Sequence, residues 1–219
     1  MESRKKLTEL AYKHLFDGII QGKFRPGLFL NIDNLAEKLS ISKTPIREAL
    51  LELEGEGLIT RNGRSYYVFN LSRKEIMDLY EVRKILEAEA AFLCARNPSI
   101  DLVNYLKETI SKLEALLKEK NPDPIGFTDL SGKFHAIICQ GSGNDLLFKI
   151  VSDIRLKLKI VRVTSFTSYS RRIDDLEEHK TVMRAIIDKN PQLAKELMID
   201  HQNKVIEYVK RELIMQFYD

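Results

Sequence analysis

Hydrophobic positions along this chain fall into two rhythms. Up to about residue 70 the apolar stretches are short and change period, and beyond it they keep helical spacing almost to the end. Residues 4–21 put Leu7, Leu10, Ala11 and His14 on one face, which predicts a helix with His14 in or beside a core. Lys23 to Leu30 contains Pro26 and Gly27 and reads as a turn. Asn31–Leu39 predicts a short helix in which Leu35, Ala36 and Leu39 share a face. Ser40-Ile41-Ser42 is the next turn. Ser42 is positioned to cap a second helix, with Pro45 in its first turn, where the amide has no partner to lose. Ile46, Ala49, Leu50 and Leu53 form that helix's apolar stripe. Two strand-like runs follow, Leu58 to Arg61 and Arg64 to Phe69. Between them stands Asn62-Gly63, the strongest short hairpin signal. The unit expected is a helix-turn-helix with a wing.

Beyond residue 70 only helices are expected. Ser72 and Glu75 form a capping box at the head of a helix over 73–96. Further helices are predicted over 100–119, 124–140, 144–168, 172–189 and 191–217. The breaks between them fall at Asn97-Pro98, Asn121-Pro122-Asp123-Pro124, Gly141-Ser142-Gly143-Asn144 and Asn190-Pro191. Helices of this length need a shared interior, so they form a bundle. The fold class is mainly α: an N-terminal winged helix-turn-helix over residues 1–70, plus a C-terminal antiparallel all-helical bundle over residues 71–219.

Composition narrows the function. No apolar run approaches the length of a membrane span, and no signal-peptide pattern opens the chain. A cytoplasmic protein without a membrane partner is expected. The two cysteines, Cys94 and Cys139, lack metal or redox spacing and read as buried free thiols. The formal net charge is +3, and residues 1–70 carry 11 Lys and Arg against 9 Asp and Glu. Affinity for nucleic acid must therefore come from local placement rather than bulk charge. Lys43, Thr44 and Arg47 supply it at the head of the second helix, beside amides that suit a phosphate or a guanine edge. Arg61, Gly63 and Arg64 do the same at the wing tip.

The same residues carry a resemblance. The stretch LAEKLSISKTPIREALLELEGEGLI resembles the core of GntR-type bacterial transcription regulators. Lys43, Thr44, Pro45, Arg47, Glu48, Ala49 and Leu50 match position by position, with Lys43 where arginine is commoner. The lead-in IIQGKFRPG, with Gly22, Pro26 and Gly27, fits as well. Downstream, DLYEVRKILEAEAAFLCA, KFHAIICQGSGNDLL and EEHKTVMRAIIDKNPQLAKELMIDH resemble the all-helical FCD domain of the FadR-like subgroup. The resemblance implies a ligand-responsive, sequence-specific DNA-binding transcription regulator, a repressor. It implies a homodimer on a palindromic operator in double-stranded DNA, and a small organic acid as effector.

His135, His179 and His201 lie on three different predicted helices, each within an apolar stripe. Imidazoles converging from separate helices make a three-nitrogen site for a divalent transition metal: zinc, nickel or manganese. In the resembling domains an aspartate one turn before the first histidine joins them. Here Ser131 stands at that position, and Asp129 falls on another face. The alternative is a metal-free polar pocket built from the same three histidines. Arg83 and Glu87 interrupt the apolar stripe of the first bundle helix, formed by Ile76, Leu79, Tyr80, Leu86, Ala90 and Cys94. Two readings stand for them: an intrahelical salt bridge, or Arg83 gripping an effector carboxylate. Glu87, Ser131 and Arg162 complete the candidate effector contacts. Arg171-Arg172 and Asp174-Asp175 read as solvated helix ends.

Two further functions compete. One is a metal-dependent hydrolase built on the three-histidine bundle. Against it, no carboxylate is expected one turn from any of the three histidines on the same face, and Glu178, directly before His179, is expected to point elsewhere. The other is an architectural DNA-coating protein without a sensor.

Overall fold

Asn31 sets the first helical corner by a purely local device. Its side chain accepts from the backbone amides of Asp33 and Asn34 at 2.8 and 3.2 Å, which starts α2 (Ile32–Leu39). This is seen in a computed structural model that describes residues 2–120, 122–159, 161 and 168–216. The chain divides into two compact units; one holds Met1–Ser72 and the other begins at Arg73.

The first unit contains α1 (Glu2–Ile20), β1 (Phe29–Leu30), α2, α3 (Lys43–Gly55), β2 (Ile59–Asn62) and β3 (Ser65–Val68). Ser40 closes α2 in the left-handed region, at φ 53°, and its amide and that of Ile41 return to Glu37 and Ala36. This tight turn swings α3 away from α2. Pro45, Ile46, Ala49, Leu50 and Leu53 are buried along α3, as their spacing predicts. Ser42 occupies the N-cap position but makes no side-chain hydrogen bond there, contrary to expectation. Its hydroxyl therefore does not cover the first amides of α3.

Three other expectations differ from the structure. The buried stripe of α1 is Thr8, Ala11, Leu15 and Ile19, while Leu10 is exposed. Packing against α3 fixes the rotation of α1, and Leu10 falls just off that contact. The segment read as a turn before residue 31 also contributes a strand. Phe29 and Leu30 pair with Tyr67 and Tyr66, so the wing belongs to a three-stranded antiparallel sheet of order β1-β3-β2. In the hairpin Asn62 pairs with Ser65, which makes the two-residue loop Gly63-Arg64 rather than Asn62-Gly63. Gly63 takes φ +60° as the first loop residue, where glycine avoids the strain of a side chain.

The second unit is helical: α4 (Arg73–Arg96), α5 (Ile100–Leu117), α6 (Pro124–Gly141), α7 (Asp145–Lys157), α8 (Tyr169–Ile187) and α9 (Pro191–Gln216). The breaks are capped as their residues suggest. Ser99, Asp123, Asn144, Ser168 and Asn190 each accept from an amide in the first turn that follows. The helix predicted over 144–168 is interrupted: α7 ends at Lys157, Leu158 forms a turn, and Lys159 and Val161 are again helical. Helix α4 packs against α6, α7, α8 and α9. Its small buried residues Ala88, Ala90, Ala91, Cys94 and Ala95 permit that crowding. Gly141 closes α6 over α4 and α5: a Cβ there would lie 2.0 Å from Leu102 Cδ1 and 2.9 Å from Cys94 Sγ. Cys94 and Cys139 are buried free thiols, as expected, and burial pushes the Cys94 thiol up to about 12.

Candidate nucleic-acid interface and candidate metal centre

Helix α3 presents two unlike faces because its apolar residues are spent on the core. Lys43, Thr44 and Arg47 are all exposed at its N-terminal end, where the backbone amides lack intrahelical acceptors. Lys43 Nζ lies 2.8 Å from Asp33 Oδ1, and both side chains are exposed. Arg61, Gly63 and Arg64 are exposed on the wing, with Arg61 Nε 3.7 Å from Glu54. Glu48, within the same motif, has a structural task. It accepts from Thr8 Oγ1 at 2.7 Å and pairs with Arg4, which ties α3 to α1. Tyr12 adds a second tie by donating to Glu56. The tip of α3 is thus a cationic, solvent-facing helix start on an anchored helix.

In the helical unit, His135 on α6, His179 on α8 and His201 on α9 converge. All three are buried, and their ring centroids stand 4.8 to 5.1 Å apart. His135 Nε2 lies 3.1 Å from His179 Nε2. The ring of Phe134 stacks on His179 at 4.4 Å and forms an apolar wall. The outer nitrogens of two histidines meet carboxylates. Nδ1 of His201 lies 2.7 Å from Glu178 Oε2. Nδ1 of His135 lies 2.7 Å from Glu87 Oε2, off the direction a hydrogen bond prefers. Nε2 of His201 is buried and has no hydrogen-bond partner among the described residues.

Glu87 is a hub. Arg83 Nε and Arg155 Nη1 each donate to its Oε1 at 2.9 Å, and Gln202 donates to Oε2 at 2.6 Å. Burial alone would raise its pKa, but Arg83, His135 and Arg155 together hold it well below the usual carboxylate range. The intrahelical salt bridge considered for Arg83 and Glu87 is therefore formed, and it is shared across three further helices. Burial acts on the imidazoles in the opposite sense. Burial pushes His179 down to about 3 and His135 well below its ordinary value. Both rings are neutral at neutral pH.

Neutral imidazoles are the form that ligates a metal. His135, His179 and His201 lie close enough to share one ion. Outer nitrogens facing carboxylates are the usual support for such ligands. Together with the orphaned Nε2 of His201, the residues present fit a divalent transition metal.

The carboxylates around this cluster lie otherwise than their spacing predicts. Asp175 lies one turn before His179 on α8, with Oδ2 3.6 Å from His179 Nε2. Glu178 does turn away from His179, but toward His201 on the neighbouring helix. Arg171, Arg172 and Asp175, read as a solvated helix end, are buried, whereas Asp174 is exposed. Arg171 grips Glu178 with both terminal nitrogens, at 3.2 and 3.1 Å. Ser131 donates to Asp175 Oδ2 at 3.3 Å and so joins the cluster through it. Arg155 and Gln202 join the cluster through Glu87 without any signal in the spacing of their own helices. The spacing of Asp175 to His179 was a usable signal; for Arg155 and Gln202 only tertiary packing tells. Arg162 lies outside the described residues. A groove of about 620 Å³ between α4, α7 and α9, lined by Ile85, Leu146 and Ile150 among others, touches none of the three histidines. Among the described residues no helix is long and apolar enough to cross a membrane.

The FCD domain family matches residues 78–204, and the gntR family of bacterial regulatory proteins matches residues 7–68. The chain is 27% identical over 203 residues to the uncharacterized HTH-type transcriptional regulator YdhC of Bacillus subtilis (strain 168), covering 92% of this chain and 90% of that protein. It is 27% identical over 190 residues to the gluconate operon transcriptional repressor of Bacillus licheniformis, covering 84% of this chain and 76% of the repressor. Among solved structures it resembles Escherichia coli McbR/YncC with a TM-score of 0.69 at 20% identity, over 94% of this chain and 98% of that one. That last likeness is one of fold.

Proposed function

Since this chain belongs to the GntR family of bacterial regulatory proteins and carries an FCD domain, we propose that it is a homodimeric repressor that senses a small organic acid through a bound divalent metal. It is a ligand-responsive, DNA-binding transcription regulator and not an enzyme, so the hydrolase alternative falls. Residues 1–70 are the DNA-binding domain and residues 71–219 the effector-binding domain. The protein works in the cytoplasm.

The observation that carries the DNA half is the exposure of Lys43, Thr44 and Arg47 around the uncovered start of α3. Lys43, Thr44 and the helix amides hold phosphates, while Arg47 reaches a guanine edge in the major groove. Arg61, Gly63 and Arg64 follow the adjacent backbone from the wing. A two-fold dimer presents two such helices to a palindromic operator.

His135, His179 and His201 hold the metal, and zinc or nickel suits three imidazoles better than manganese does. When bound, the metal supplies an electrophilic position for an acid's oxygen. Arg83, Glu87 and Ser131, with Arg162 as a further candidate, orient the rest of the acid. A relative named as a gluconate operon repressor supports an organic acid as effector. The effector's leverage over DNA equals its affinity difference between two states, typically ~1–3 kcal/mol.

The test pairs two measurements. Fluorescence anisotropy on the DNA upstream of its own coding region should show salt-dependent, sequence-selective binding. A thermal-shift screen of organic acids, with and without zinc, nickel and manganese, should find acids that stabilise the protein only with metal. Equal affinity for unrelated duplexes and no acid-dependent shift would instead match an architectural coat and refute this reading.

A further inference from the structure

We propose that Asp175 on α8 is the carboxylate ligand of the metal, taking the part that α6 cannot supply because it carries Ser131. The inference rests on the metal reading above. Asp175 is 3% exposed and stands at the histidine cluster, not at the protein surface. Its Oδ2 lies 3.6 Å from His179 Nε2, and its Oδ1 lies 4.0 Å from His201 Nδ1.

Two donors each about 2.1 Å from one ion, at angles between square and tetrahedral, stand about 3.0–3.4 Å apart. The 3.1 Å between His135 Nε2 and His179 Nε2 falls within that range. The 3.6 Å from Asp175 Oδ2 to His179 Nε2 lies just beyond it, and because Asp175 meets His201 at its outer Nδ1, the carboxylate must swing toward the Nε2 side to join the three imidazoles. Charge argues the same way. Three imidazole donors bring no negative charge to a buried divalent ion, and Glu87 is already engaged by two guanidiniums. Asp175, which also pairs with Arg171 Nη2 at 3.7 Å, is the carboxylate that faces His179 among the described residues.

The hydroxyl on α6 supports Asp175 in this part. Ser131 Oγ donates to Asp175 Oδ2 at 3.3 Å. A carboxylate at position 131 would abut the one at 175, and two like charges in one buried site oppose each other. Serine at 131 instead orients Asp175 by a hydrogen bond. Position 131 and position 175 therefore form a matched pair in which only one member is acidic.

The experiment measures zinc and nickel affinity by chelator competition, on full-length protein purified without a histidine tag, with near-UV circular dichroism as a fold control. The parent protein should bind one equivalent. Asp175→Asn should lose about 10–100-fold in affinity or more, whereas Asp174→Asn, at the exposed position next to it, should stay within about threefold. The double variant Ser131→Asp with Asp175→Asn should recover most of the loss, because the carboxylate returns from the other side. A folded Asp175→Asn that binds as tightly as the parent overturns this assignment and leaves the three-histidine metal reading intact. A parent protein that binds less than about a tenth of an equivalent overturns both. Should Asp175→Asn not fold, cobalt(II) spectra of the parent and of Asp175→Glu decide. Visible bands that change between them support a carboxylate ligand at 175, and identical bands refute it.

Discussion

Glu87 Oε2 and His135 Nδ1 face each other at 2.7 Å in a place neither side chain shares with water. The same carboxylate takes Arg83 and Arg155 on its other oxygen. One anion therefore serves two functions: it neutralises two buried guanidiniums and it steadies a candidate metal ligand. Glu87→Gln keeps the shape and removes the charge. The variant should lose about 3–5 kcal/mol of stability, because two buried cations are left uncompensated. Urea denaturation of metal-free protein measures this, and a loss below about 1 kcal/mol would mean that the guanidiniums find other partners. Zinc affinity should fall about 10–100-fold in the same variant.

Acid should unfold the helical domain through its histidines. His179 is held to about 3 and His135 well below its ordinary value, in both cases first by burial. Their folded pKa values lie below the unfolded value, so below about pH 6.5 the unfolded chain binds protons that the folded chain refuses. Stability is full above that pH and declines as pH falls toward the folded values. The decline is ~1.4 kcal/mol per pH unit for each such histidine. Glu87, also held low, adds a loss in the same direction at more acid pH. Chelator-treated protein unfolded by urea at pH 7.5, 6.0 and 5.0 tests the slope. A curve that stays flat over that range would show that these rings are charged in the native state, and His179→Gln should make the curve shallower.

Gly63 should tolerate asparagine far better than valine. Its φ of +60° favours residues that accept the left-handed region, yet a Cβ there would meet nothing within 4 Å. The cost of substitution is therefore backbone strain alone, about 1–2 kcal/mol for a branched side chain. Gly63→Val should lose that much from the winged unit in a thermal melt, and Gly63→Asn less than half of it. Equal losses would point to crowding instead.

What the amino-acid pattern revealed tracks the range over which each signal acts. The start of α4 at Arg73 and of α9 at Pro191 follow from capping chemistry confined to a few residues. The hairpin is equally local in existence, but its register is not. Asn62-Gly63 announces a turn, whereas burial of Ile59, Tyr66 and Val68 decides which residues pair, and this moves the loop one residue on. The three histidines were visible because each interrupts an apolar stripe. Asp175 was hidden for the opposite reason: in Arg171-Arg172-Ile173-Asp174-Asp175 it looks like part of a charge run. A charged residue is read as solvated until a neighbouring helix covers it, and here α9 brings His201 within 4.0 Å. Arg155 and Gln202 reach Glu87 from α7 and α9, so no spacing within one helix could have announced them.

Lys43 and Arg47 should fail in different ways when removed. Both are exposed at the head of α3, but Lys43 already has an anion 2.8 Å away at Asp33, while Arg47 sits one turn further along the helix. An exposed ion pair of this kind contributes little and opens readily in the field of a phosphate backbone. Lys43→Ala should therefore weaken binding to all duplexes alike and reduce the slope of log affinity against log salt by about 1. Arg47 offers a planar fork that matches a guanine edge. Arg47→Ala should cost about 1–3 kcal/mol on the operator, much less on unrelated DNA, and relax the preference at one base position. Fluorescence anisotropy at several salt concentrations separates the two patterns. Asp33→Ala should leave specificity unchanged, because it only frees Lys43. Operator affinity of Arg47→Ala equal to that of the parent would show that α3 is not the element that reads sequence.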